Sequence, residues 1–87
     1  MVVIFLEKGL RDFDALDNSM RLLFKKHLGK LMSMPPRRHL GRGIPFFCEK
    51  VTEQARLVYQ VEGEDLLVLH CFSTHKEYER WFRGVKN

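Results

Sequence analysis

Long apolar runs are missing from this 87-residue chain. None approaches the ~20 residues that cross a bilayer, which excludes a membrane-spanning role. The opening Val2-Val3-Ile4-Phe5-Leu6 has no basic flank and falls short of the roughly 7–15 apolar residues of a secretory core. A cytoplasmic protein is therefore expected. Cysteine is scarce: Cys48 and Cys71 stand alone, and neither belongs to a Cys-x-x-Cys pair. That excludes a disulfide-stapled miniprotein, and both thiols lie in apolar, strand-like stretches where buried reduced cysteine is expected. With only 6 Gly and 3 Pro against 45% hydrophobic and 30% charged residues, the chain is no collagen, low-complexity segment or disordered tail. It is expected to be one domain over residues 1–87. At this size it buries only ~60–65% of its unfolded surface, so its stability without a partner should be modest.

Acidic residues are absent from residues 18–48, which hold Arg21, Lys25, Lys26, Lys30, Arg37, Arg38 and Arg42. The net charge of the whole chain is +4, so everything outside this stretch is net acidic. Such polarity suits a polyanion or an acidic protein as partner, although a solvated helix face followed by a basic loop has the same composition.

Residues 2–6 are β-branched and aromatic and predict a short strand buried on both faces. Leu10, Phe13 and Leu16 recur every third residue and predict a short helix. Asp17 offers an N-cap to a second helix, whose stripe of Met20, Leu23, Phe24, His27, Leu28 and Leu31 should face a core. Pro35-Pro36 should end it. Residues 37–43 read as a basic, glycine-punctuated loop. Strands are predicted over 46–51, 55–62 and 66–72, the last two joined by a tight turn at Glu62-Gly63-Glu64-Asp65. Leu66-Leu67-Val68-Leu69 is apolar on both faces and should be central. A short helix over 76–84 would close the chain. The sum is an α+β fold: a small antiparallel-type sheet with helices on one face.

Arg56 sits mid-strand among apolar neighbours, where a cation must pair or face a cleft. It is either bridged to Glu49 on the next strand or a phosphate clamp, since guanidinium is a rigid, permanently charged fork. His75 lies just past a strand end and can exchange protons near neutrality. Lys76, Tyr78 and Arg80 follow it, adding two cations and a phenol. Trp81 and Phe82 read as anchors of the terminal helix. His27 and His70 read as satisfied core histidines. His70-Cys71-x-x-x-His75 is half of a zinc site with no second half, so no metal is expected. No Walker loop, GxSxG, HExxH or dinucleotide fingerprint occurs.

The segment QARLVYQVEGEDLLVLHCFSTHKEYERWF, preceded by HLGRG, resembles the C-terminal half of the RelE/ParE toxin superfamily. The shared pattern is an Arg-hydrophobic-hydrophobic-Tyr strand, an acidic hairpin turn, and an apolar strand ending in a basic, His-containing motif. THKEYERW is most similar to the RelE- and HigB-like branch. The resemblance implies a RelE-like fold and the toxin of a type II toxin–antitoxin pair. It further implies a metal-independent, cofactor-free endoribonuclease that cleaves mRNA at the ribosome and inhibits translation. Acidic antitoxin, ribosome and mRNA would be the partners, with no membrane involved. By position, Arg56 would stabilise phosphate charge and His75 would transfer protons, with Lys50 and Lys76 as cation support. The tyrosine often found near the C-terminus of RelE-like members aligns with Phe82, leaving Tyr78 as its substitute. Arg21, Lys25, Lys26, Lys30, Arg37, Arg38, Arg42 and Arg80 would bind RNA. Two alternatives share the fold: a ParE-like, non-nuclease inhibitor of DNA gyrase, and an inactive toxin homologue that acts only in a complex.

Overall fold

The computed structural model describes residues 2–33 and 46–86. In chain order the elements are β1 (Val3–Phe5), α1 (Glu7–Ala15), α2 (Asn18–Met32), β2 (Phe47–Lys50), β3 (Arg56–Glu62), β4 (Asp65–Phe72) and α3 (His75–Lys86). The strands form one sheet in the order β1-β4-β3-β2. The helix signals act in part where the sequence places them: Leu10 and Leu23, expected on the core-facing stripes, are exposed. Asp17 Oδ1 accepts the Met20 N–H at 2.8 Å and caps α2. Phe24, Leu28 and Leu31 of the apolar stripe are buried against Leu57, Tyr59, Leu66 and Val68 of the sheet. Gly63, at φ 61°, turns β3 into β4 with no Cβ to oppose that conformation.

Three expectations are corrected. The sheet is mixed, not antiparallel throughout, because β1 runs parallel to β4, pairing Val3 with Leu66 and Phe5 with Val68. The intervening helices supply the long crossover that a parallel pair requires. Second, β1 is an edge strand and is not buried on both faces. Val3 and Phe5 pack on the core while Ile4 remains 39% exposed. The central position belongs to β4, as its apolar run implies.

Third, the helices occupy both faces of the sheet. α1 and α2 cover the face of Phe47, Leu57, Tyr59 and Cys71. α3 lies on the other, where Trp81 meets Phe46, His70 and Phe72 at ring separations of 4.8, 5.1 and 5.8 Å. A bulge makes this possible. Val58 pairs with His70 and Tyr59 with Val68, which leaves Leu69 as an extra residue on β4. Side chains alternate along a strand, so the bulge reverses parity after Val68. Cys71 therefore joins the α1–α2 core, and His70 and Phe72 turn beneath α3.

At the same place α1 lies against β4. A Cβ on Gly9 would collide with the Val68 carbonyl oxygen, so only glycine allows the helix this close. No helix among the described residues is long and apolar enough to cross a membrane.

Candidate active site

Lys50 and Arg56 are directly paired where β2 ends and β3 begins. The link between them, residues 51–55, folds back so that Val51 N–H reaches the Ala55 carbonyl at 3.0 Å. Arg56 does not bridge to Glu49. Its guanidinium donates to the carbonyls of Thr52, Glu53 and Ala55 at 3.0–3.1 Å, fixing the base of the side chain's own turn. Glu49 points to the other face of β2 and meets Nδ1 of His27 at 3.1 Å. Of the two readings of Arg56, the Glu49 pair is ruled out because successive strand positions face opposite sides of the sheet. Lys50 Nζ meets Glu53 Oε1 at 3.1 Å on the exposed side of the turn.

The start of α3 completes the cluster. Thr74 Oγ1 accepts the Glu77 N–H at 3.1 Å and donates to the Glu77 carboxylate at 2.8 Å. This cap starts the helix at His75, one residue before its predicted start. The Thr74-x-x-Glu77 spacing was the legible signal for that boundary. The His75 N–H reaches Gln54 Oε1 at 3.4 Å, tying the helix to the turn that holds Arg56. Nδ1 of His75 pairs with Glu79 Oε1 at 3.0 Å, one helical turn on. The neutral ring then has Nδ1 as donor and Nε2 as acceptor, the arrangement of a proton-transferring imidazole.

Tyr78 sits one turn into α3, its ring 6.1 Å from that of His75 and 6.2 Å from that of Phe72. Its hydroxyl lies within electrostatic reach of the Cys48 thiol, and Arg56 acts on both groups. Burial pushes the Tyr78 phenol up to about 12, the neighbouring Cys48 adds to the rise, and Arg56 opposes it. Burial also raises the Cys48 thiol. At neutral pH both groups keep their protons. Cys48 is therefore a neutral thiol on the exposed surface of β2, against the expected buried position. The sequence reading missed it. Its place two residues before Lys50, on the same strand face, was the available signal.

The structure thus brings Arg56, Lys50, His75 and Tyr78 together at one end of the sheet. Lys76 and Arg80 lie exposed on α3. Arg21, Lys25, Lys26 and Lys30 belong to α2, which packs on the opposite face of the sheet, so they do not join this cluster. Arg21 instead donates to the Asp14 carbonyl at 2.9 Å and to Asn18 Oδ1. Arg37, Arg38 and Arg42 lie outside the described residues, as does Pro35-Pro36. Among the described residues no group of three or more His, Cys, Asp or Glu side chains is placed to hold a metal.

No family model matches the chain, and no curated relative does. Solved structures do. The intact RelBE toxin–antitoxin complex of E. coli is similar at 27% identity and TM-score 0.69, over 80% of this chain and 92% of that one. A YoeB/ParE toxin from Agrobacterium tumefaciens is similar at 20% identity and TM-score 0.67, over 82% and 95%. The YoeB–YefM complex from Staphylococcus aureus is similar at 15% identity and TM-score 0.65, over 79% and 91%. Four mixed strands and three helices in this arrangement are the fold of a small RelE-like toxin. The likeness to the E. coli RelBE structure, at 27% identity, supports the RelE/ParE toxin superfamily.

Proposed function

We propose that this chain is the toxin of a type II toxin–antitoxin pair, acting as an endoribonuclease that cuts mRNA at the ribosome and so arrests translation. The observation that carries the reading is the convergence of Arg56, His75 and Tyr78 at one end of a RelE-like sheet.

The cut would be an internal displacement. The ribose 2′-OH attacks the adjacent phosphorus and the bond to the 5′ oxygen breaks, leaving a 2′,3′-cyclic phosphate and a 5′-OH. This step needs a base at the 2′-OH, an acid at the leaving oxygen and positive charge on the equatorial phosphate oxygens. Arg56 supplies fixed charge, held rigid by its three carbonyl partners. His75 takes or returns a proton through Nε2 while Glu79 holds Nδ1. Tyr78, protonated at neutral pH, is suited to the acid role. Lys50 and Lys76 add cationic support. RNA fits as substrate because its own 2′-OH is the nucleophile.

An acidic antitoxin suits a chain whose basic charge gathers on α2 and in residues 34–45. Two of the similar structures are toxin–antitoxin complexes. Ribosomal RNA would meet Lys25, Lys26 and Lys30 on the face away from the cut.

Induced expression followed by primer extension on cellular mRNA tests the reading, and cuts inside translated frames are the expected result. Intact mRNA with DNA double-strand breaks would favour gyrase inhibition instead. Intact mRNA and intact DNA would favour an inactive homologue working only in a complex.

A further inference from the structure

A cavity of about 320 Å³ opens between α1, β4 and α3, away from the Arg56 turn, lined by Leu6, Glu7, Lys8, Leu69, His70 and Trp81. Its exposed lining surface is mostly apolar, and one wall is the Trp81 indole, whose ring lies 4.8 Å from that of Phe46 and 5.8 Å from that of Phe72. The second ring at the cavity, His70, is fixed from two sides. Phe72 stacks on it at 4.9 Å with 14° between planes, and Asp12 Oδ2 meets its Nδ1 at 2.8 Å. Asp12 is fixed in turn by the Cys71 N–H at 3.2 Å. A carboxylate on Nδ1 selects the neutral tautomer that carries its proton there and leaves the Nε2 lone pair as an acceptor. Among the described residues no group pairs with Nε2, and His70 lines the cavity.

We propose that this cavity binds an uncharged, planar heteroaromatic molecule, which stacks on Trp81 and donates one N–H to Nε2 of His70. The volume lies at the lower end of small-molecule pockets, roughly 300–1,000 Å³, and suits one two-ring compound. Mostly apolar walls beside an indole, with the His70 ring held in place by Asp12 as an acceptor, favour a flat, neutral ring carrying a donor over an aliphatic molecule. The site is separate from the nuclease reading and stands or falls without it.

Benzimidazole is the probe, titrated into the ¹⁵N-labelled chain in mildly alkaline buffer, where an imidazole is neutral. Saturable shifts are expected at Lys8, Leu69, His70 and the Trp81 indole N–H. N-methylbenzimidazole keeps the ring and loses the donor, so it should bind about 3- to 10-fold more weakly, the effect of one hydrogen bond. Leu6→Trp fills the rim from an exposed position and should abolish the shifts with the fold intact. Shifts that fail to saturate, that leave these four groups unmoved, or that survive Leu6→Trp would overturn the proposal, as would equal affinity for the methylated probe.

Discussion

The Cys48 thiol of β2 and the Tyr78 phenol of α3 lie within electrostatic reach of each other, and Arg56 acts on both. Burial and the neighbouring thiol keep that phenol protonated at the candidate active site. Cys48→Ala removes the nearby thiol, whose presence raises the Tyr78 pKa. The ultraviolet titration of Tyr78 should then move down from about 12. An unmoved titration would mean that burial alone sets it.

Alkaline stability follows from the same groups. Burial pushes Cys71 up to about 12 from 9.0, and Tyr78 to about 12 from 10.0. The unfolded chain loses these protons first and the folded chain holds them to higher pH. Their stabilising effect is therefore complete below pH 9 and disappears as pH rises through about 12. The melting temperature should fall across that window, and Cys71→Ala should make the fall shallower at its start. A melting temperature that is flat from about pH 8 to 11 would contradict the burial of both groups.

Arg56 and His75 should separate structure from chemistry. Arg56→Ala removes a charged donor from three carbonyls and should cost about 1–3 kcal/mol of stability. It should also lower cleavage of ribosome-bound mRNA by ~10²–10³. Arg56→Lys keeps the charge but not the planar fork and should not restore activity. His75→Ala breaks a half-exposed pair with Glu79 and a ring contact with Tyr78, costing about 1 kcal/mol, yet should lower cleavage by ~10²–10⁴ and change its pH profile. Melts beside the cleavage assay distinguish the two. Folded variants that cut at the wild-type rate would remove both residues from the mechanism.

Two helical glycines should respond with opposite signs. At Gly9 an added methyl meets the Val68 carbonyl, so Gly9→Ala should destabilise by about 1–3 kcal/mol. At Gly29, inside α2, nothing lies within 4 Å of the added methyl. Gly29→Ala should stabilise by about 0.5–1 kcal/mol through backbone entropy and helix propensity. Denaturant melts of the two variants check both signs.

The sequence by itself determined the elements, because each rests on local rules. Asp17 caps α2 and Gly63 turns the hairpin from within a few residues. The apolar run of β4 marks it as a central strand. The Arg-Leu-Val-Tyr strand and its His-containing ending carried the superfamily. Tertiary structure decided which face each residue meets. A bulge at Leu69 leaves no mark in the alternation, yet it turns His70 and Phe72 away from the first core and gives α3 a second face to cover. Pairing is equally non-local: Glu49 was a possible partner for Arg56 until strand parity sent the two side chains to opposite sides, where Glu49 meets His27. Cys48 joined the candidate site only because α3 brings Tyr78 within electrostatic reach of it, although the two are 30 residues apart in the chain.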